Sequence, residues 1–299
     1  MEEIRPDPGG SSSPAVAFAP PLVRYAPAKV NLHLKVLAKR RDGYHELVTL
    51  MQRISLFDEL QFLPAPGRGI ILHCPDANLP ENRENIVYRA AEAFYRRLGA
   101  PAGIEITLKK RIPLAAGLGG GSSNAATTLL ALNDLAGNPL DPDILMEMGA
   151  SLGADVPFFI FGRTAWAFGI GDRLEAVNSP PRLHFLLVNP GFELATGKVY
   201  EALNFTLTKE IIHYSIPRFF ERHDVIKGLH NDLERVSIRL HPVLEDIKSL
   251  LLGHGAAGAL MSGSGPTIFG VFDNEDMVVK AEQSLQGYGN WSLYRAHSI

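Results

Sequence analysis

The densest chemistry in the chain lies between Pro113 and Ala126, where glycines at 117, 119, 120 and 121 run into Ser122, Ser123 and Asn124. Glycine admits positive φ and lets a ligand approach main-chain N–H groups closely. A helix that opens directly after such a run adds unpaired N–H groups and the positive end of its dipole. The segment Leu114, Ala115, Ala116, Gly117, Leu118, Gly119, Gly120, Gly121, Ser122, Ser123 and Asn124 therefore predicts a phosphate-binding loop. A plain flexible turn is the competing account, and it explains neither the two hydroxyls nor the small-residue helix AATTLLALNDL that follows. Two well-known glycine loops do not fit. None of Gly117 to Gly121 is followed by Lys, as a Walker loop requires, and Ser122 stands where a dinucleotide fingerprint needs its third glycine. The His-Arg-Asp and Asp-Phe-Gly tripeptides of protein kinases do not occur.

Elements long enough to hold such a loop are available. The chain has 299 residues, which at about 150 per domain suggests two domains with their own cores. Apolar residues make up 46% and charged residues 20%, so a coiled coil and wholesale disorder are both disfavoured. The formal charge of −3 creates no basic field to attract nucleic acid or an anionic membrane. A lone cysteine, Cys74, forms no internal disulfide and fits a reducing, cytoplasmic setting. No apolar run reaches the ~18 residues of a membrane helix. Residues 1–22 open acidic and turn to Gly, Ser and Pro, which predicts a disordered tail.

Val30, Leu32, Leu34 and Val36 alternate with Asn31, His33 and Lys35, the period of a half-buried strand, so Lys29 and Asn31 share its polar side. Strands are expected in YHELVTLMQRISL, LQFL, IILH and IEITL, and a helix over 82–98 ending at Gly99. Asp141 and Pro142 predict a further helix start, and Gly153 its stop before Asp155 and the apolar run VPFFIF. A hairpin is expected around GIGD. RLHFLLVNP reads as a buried strand, followed by helices in HPVLEDIKSLLL and EDMVVKAEQSL and by two strand-like runs hinged on Ser262 to Thr267. That hinge reads either as a second phosphate-facing loop or as a tight hairpin.

PLAAGLGGGSSNAA (113–126) resembles the second motif of the GHMP kinases, the family of galactokinase, homoserine kinase, mevalonate kinase and phosphomevalonate kinase. The extra glycine and Asn124 resemble the branch that phosphorylates the 2-hydroxyl of 4-diphosphocytidyl-2-C-methyl-D-erythritol in the non-mevalonate isoprenoid route. APAKVNLHL (26–34), RRDGYHEL (40–47), GADVPFF (153–159) and SGSGPTIF (262–269) extend the resemblance, in order, over about residues 24 to 299. It implies an α+β, two-domain GHMP kinase fold. Residues 23–178 would form a ribosomal protein S5 domain 2-like unit that binds ATP, and 179–299 a ferredoxin-like unit.

The resemblance also implies roles. Asp155 would take the proton of the acceptor hydroxyl, and Lys29 would hold Asp155 ionised and stabilise phosphate charge. Tyr44 and His45 would recognise cytosine, with Tyr200 as a second aromatic wall. Thr196 would contact the diphosphate or polyol, and Asn31 the substrate near the transfer point. Mg²⁺ is expected with ATP; Ser123 is a candidate hydroxyl ligand, but no acidic cluster marks a metal site. The expected partner is the small-molecule acceptor, in a monomer or homodimer, with neither nucleic acid nor membrane. Two rivals share the glycine loop. One is a family member acting on homoserine, mevalonate or a sugar, which needs no cytosine clamp. The other is a non-catalytic nucleotide sensor, in which Lys29 and Asp155 need not both be kept.

Overall fold

The computed structural model of the chain describes residues 20–178, 180–203 and 221–299. Residues 1–19 of the expected tail lie outside this set, and at Leu22 the chain already enters β1 (Leu22–Lys39). β1 turns at Asp42-Gly43 and pairs antiparallel with β2 (His45–Pro64) along almost its whole length. LQFL, expected as a separate strand, is the far end of β2, because pairing with β1 continues from Leu22 against Phe62. β3 (Gly69–His73) leads to α1 (Ile86–Leu98), capped by Asn85 accepting the Val87 N–H and closed by Gly99 at φ 64°. Its buried stripe is Val87, Ala90, Ala91 and Phe94, with Ile86 and Leu98 partly buried against the same core.

β4 (Gly103–Lys109) follows, and then α2 (Gly120–Leu135), which starts inside the glycine run. Ten of the 16 residues of α2 are buried, because its small side chains let it lie close against its neighbours. α3 (Pro142–Leu152) begins with Pro142 at its first turn, although Asp141 makes no side-chain cap bond. The apolar VPFFIF run is α4 (Val156–Phe161), and the expected hairpin is β5 (Ala165–Gly169) with β6 (Arg173–Ala176).

The second half contains β7 (His184–Asn189), α5 (Thr196–Glu201), α6 (Arg222–Gly228), β8 (His230–Asn231), α7 (Glu234–Leu240) and α8 (Val243–Gly253). It ends with β9 (Gly258–Met261), β10 (Ile268–Phe272), α9 (Glu275–Leu285) and β11 (Ser292–His297). Among the described residues there are two sheets. The larger has the order β3-β4-β2-β1-β8, with β5 and β6 branching from β2; the smaller, antiparallel throughout, has the ferredoxin-like order β11-β7-β10-β9. Among the described residues no helix is long and apolar enough to cross a membrane.

The layers explain the burial of β1. On one side of the large sheet, Phe62, Ile106 and Ala26 pack on Val87, Phe94, Leu129 and Phe158 of the helices. Val30, Leu32, Leu50 and Ile54 pack against Phe185, Leu187, Phe269 and Val271 of the small sheet. Leu186, Val188 and Ile268 then pack on Leu244, Ile247 and Leu251 of α8 and Val278 of α9. Each fully buried side chain of this size contributes ~1.5–3 kcal/mol. The strand expected to be half-buried is covered on both faces from Lys29 to Leu34, so the polar face of Lys29, Asn31 and His33 is interior.

One buried ion pair ties the frame to the glycine run. Asp58 of β2 accepts from Lys110 and from Asn124 Nδ2 at 2.9 Å, and from the Arg111 and Ile112 main-chain N–H groups at 2.7 and 2.9 Å. Asp58→Ala strands the Lys110 ammonium in the interior. It is expected to lower stability by ~3–5 kcal/mol, read from the urea midpoint at unchanged slope.

Candidate active site

Lys29 is 4% exposed, and its ammonium meets three partners. It donates to Asn31 Oδ1 at 2.6 Å and to the Gly117 carbonyl at 2.8 Å, and it lies 3.6 Å from Asp155 Oδ2. Two of the ammonium's three N–H groups thus go to oxygens at hydrogen-bond distance, and the Asp155 carboxylate stands within ion-pair reach of the third. Burial pushes the Lys29 pKa down, and the Asp155 carboxylate pulls it back up. Asn31 is held in turn, donating from Nδ2 to Thr49 Oγ1 at 2.8 Å, and Thr49 donates to the His33 carbonyl at 2.7 Å. Asp155 stands at the N-cap position of α4, its side chain 37% exposed toward the cleft.

The glycine run passes directly over this lysine. The Lys29 N–H donates to the Leu118 carbonyl at 2.9 Å, and Ser262 Oγ donates to the Gly117 carbonyl at 2.9 Å. Gly117 has φ 75°, and a Cβ there would lie 2.1 Å from the Ser262 carbonyl oxygen, so the close approach of the two loops demands glycine. α2 then starts with no side-chain cap and no acidic residue in its first turn. The opening main-chain N–H groups and the positive helix end therefore face a cleft of about 1000 Å³ lined by Gly117 to Ser122.

The same cleft takes in Asn31, Tyr44, His45, Asp155, Thr196, Tyr200, Gly263 and Ser264. The His45 and Tyr200 rings lie 4.9 Å apart at 32°, while Tyr44 is 59% exposed at the rim. Burial, and secondarily the Asp155 carboxylate, push the Tyr200 hydroxyl well above its ordinary value. Burial, followed by the nearby Lys39 charge, pushes His45 down toward the neutral ring. Thr196 Oγ1 and Ser264 Oγ share a hydrogen bond of 2.9 Å at the cleft wall. The Ser262–Thr267 segment is a hairpin connection, since Met261 pairs with Ile268, and its Gly263 and Ser264 line the cleft.

Two expected loop residues are not brought into the cleft lining. Asn124 is buried and bonds Lys110 and Asp58 beneath the helix. The Ser123 hydroxyl is fully buried and makes no hydrogen bond. Conversely, Lys110 and Thr49 line the cleft without having been singled out. Lys110 had a visible signal, the basic Lys109-Lys110-Arg111 run ahead of the glycines; Thr49 sits in an apolar strand and had none. Among the described residues no cluster of three or more His, Cys, Asp or Glu could hold a metal ion.

The chain matches the family models for the GHMP kinases N terminal domain at residues 85–163 and GHMP kinases C terminal at 221–290. It is 60% identical over 274 residues to 4-diphosphocytidyl-2-C-methyl-D-erythritol kinase of Syntrophus aciditrophicus, covering 92% of this chain and 98% of that one. A crystal structure of 4-(cytidine 5'-diphospho)-2C-methyl-D-erythritol kinase superposes with a TM-score of 0.77 at 38% identity, over 93% of this chain and 100% of the other. Homoserine kinase from Cytophaga hutchinsonii shares the fold at 21% identity and a TM-score of 0.69, covering 94% of this chain and 95% of that one.

Gly117→Ala places a methyl group against the Ser262 carbonyl in a left-handed backbone. It is expected to cost at least ~1–2 kcal/mol in stability and to weaken binding of β,γ-imido-ATP. Urea unfolding and calorimetric titration check the two effects.

Proposed function

The chain belongs to the GHMP kinase family, small-molecule kinases that use ATP as the phosphoryl donor, and we propose that it phosphorylates the 2-hydroxyl of 4-diphosphocytidyl-2-C-methyl-D-erythritol for isoprenoid synthesis. The observation that carries this reading is one cleft with three parts. The phosphate loop and the His45–Tyr200 ring pair both line it, and the Lys29–Asp155 pair lines it with them.

On this reading the Gly119–Ser122 main-chain N–H groups hold the β- and γ-phosphates of ATP, and Leu114 to Leu118 wall the nucleotide side. Cytosine, a flat ring with a polar edge, is taken between the aromatic side chains of Tyr44 and Tyr200 and read by His45. Thr196 and Asn31 position the diphosphate and the polyol. Asp155 accepts the proton of the 2-hydroxyl as its oxygen bonds to the γ-phosphorus, the bond to the β-bridging oxygen breaks, and ADP leaves. Lys29 keeps Asp155 ionised and neutralises charge that builds on the transferring group.

The donor set fits Mg²⁺, which needs only one or two carboxylates beside substrate phosphates. Asp155 supplies a part-exposed carboxylate at the cleft, whereas the Ser123 hydroxyl, expected as a ligand, is fully buried outside the cleft lining and does not reach such a site. Held at Asp155, the ion would supply charge neutralisation for the phosphates of the nucleotide.

Purified protein given Mg²⁺-ATP and a panel of the cytidyl compound, homoserine, mevalonate and galactose is expected to release ADP only with the cytidyl compound. Turnover on another acceptor would overturn the substrate assignment. Asp155→Asn keeps the shape and is expected to lower kcat by ~10²–10⁴; near-wild-type turnover would remove Asp155 from the role of base. Tyr44→Ala is expected to raise KM for the acceptor with KM for ATP unchanged, as steady-state kinetics on both substrates would show.

A further inference from the structure

Asn231 ends the two-residue strand β8, which pairs parallel with His33 and Leu34 of β1. Its side chain is 6% exposed. It donates one N–H to the Met261 carbonyl at 2.8 Å and one to the Gly263 carbonyl at 2.7 Å, and it accepts the Leu233 N–H at 2.9 Å. Both donors of the amide thus go to a single loop. The next residue anchors this platform to β1: Asp232 Oδ2 accepts the Val36 N–H at 2.8 Å, Oδ1 meets Lys35 at 3.1 Å and His230 at 2.7 Å, and the Asp232 N–H donates to the Leu34 carbonyl at 3.0 Å. Glu234 Oε1 accepts the Met261 N–H at 2.9 Å.

The Gly263–Ser264 peptide is trans. In a trans peptide the carbonyl and the following N–H point in opposite directions. A Gly263 carbonyl drawn toward Asn231 therefore turns the Ser264 N–H away from it, and Ser264 lines the cleft. Among the described residues that N–H has no hydrogen-bond partner. Gly263 itself sits where a Cβ would lie 3.3 Å from both Lys29 Nζ and Asn31 Oδ1.

We propose that Asn231 is a positioning residue that holds the Gly263–Ser264 peptide with the Ser264 N–H turned into the cleft, where it donates to a phosphate oxygen. This rests on the kinase reading above, and the phosphate has two sources, the γ-phosphate of ATP or the diphosphate of the acceptor. Asn231→Ala removes both anchoring donors and leaves Lys29, Asp155 and the glycine run in place.

The test follows the ¹⁵N–¹H signal of Ser264 in the full chain, titrated with Mg²⁺-β,γ-imido-ATP or with the cytidyl acceptor, each alone, alongside steady-state kinetics. In the wild type the Ser264 N–H is expected to move downfield with one of the two ligands; the nucleotide arm assigns the γ-phosphate and the acceptor arm the diphosphate. In Asn231→Ala that response is expected to vanish, and kcat to fall by ~10²–10³ with both KM values within about threefold. Asn231→Ser, which keeps one donor, is expected to recover part of the response and of kcat, and it replaces the alanine variant if that variant does not fold.

A Ser264 N–H unmoved by either ligand in the wild type would overturn the proposal. So would an unaltered response in both variants, or a kcat within about threefold of wild type in a folded variant. Wild-type protein that turns over no acceptor would sink the kinase reading instead, and the nucleotide titration would still decide the role of Asn231.

Discussion

A buried ammonium cannot stand alone, because removing its water costs several kcal/mol unless oxygens replace it. Lys29 is the ammonium around which this molecule is arranged. Its replacement shell comes from three places in the chain: Asn31 two residues along β1, the Gly117 carbonyl in the glycine run, and Asp155 at the head of α4. Each of those oxygens is itself constrained, Asn31 through Thr49 on β2 and the Gly117 carbonyl through Ser262 on the β9–β10 connection. The relative placement of two loops, two strands and a helix is thus the coordination shell of one cation. The balance of burial against Asp155 leaves the lysine pKa lowered, because desolvation disfavours the charged form more than the nearby carboxylate favours it.

A second lysine completes the electrostatics of the helix start. A Cβ on Gly119 would lie 3.1 Å from Lys29 Cε, and one on Gly120 would lie 3.2 Å from Lys110 Nζ. The first turn of α2 is therefore bracketed by two ammonium-bearing side chains, and no larger residue fits between them. The two cations differ in their counter-ions. Lys110 faces Asp58, which is fully buried and takes two further main-chain N–H donors, a fixed neutralisation. Lys29 faces Asp155, which is part-exposed at the cleft, so substrate oxygens can share that contact. One lysine holds the frame and the other faces the cleft through a part-exposed partner, a division that follows from the exposure of the partner carboxylates.

Much of this was legible in the residues, with recognisable limits. Alternation over Val30 to Val36 marked β1 and put Lys29 beside Asn31, since a period of two needs no tertiary information. It could not reveal that the polar face is also covered, because that depends on α2 and the Ser262 hairpin arriving from distant sequence. The glycine run predicts a phosphate-binding loop that includes Ser123 and Asn124, yet both of these side chains lie outside the cleft lining. At about 100° per residue, two steps past Gly121–Ser122 turn the side chain from cleft to core, and the helix's rotational setting comes from packing against β1 and α1. Short elements such as α5, α6 and β8 carried no usable period. Asn231 and Thr49 accordingly escaped notice, their partners lying across the fold.

The placement of the cleft also limits how ligands reach it. It lies where the two halves meet, but those halves are not separate bodies. Val30, Leu32 and Leu50 share a core with Phe185, Leu187 and Phe269, and β8 from the second half pairs with β1. The carboxy-terminal end is stitched back as well: the Ile299 N–H donates to the Arg53 carbonyl at 3.1 Å, and Gln52 Nε2 donates to the Ile299 carbonyl at 3.1 Å. Opening the cleft by a hinge between halves would break this shared core, at a cost set by the apolar area exposed. The side chains that can move without that cost are those at the rim, Tyr44 on the exposed Asp42-Gly43 turn above all. The buried Lys29 shell can stay formed while the rim moves, so conformational adjustment of the cleft falls to its aromatic edge.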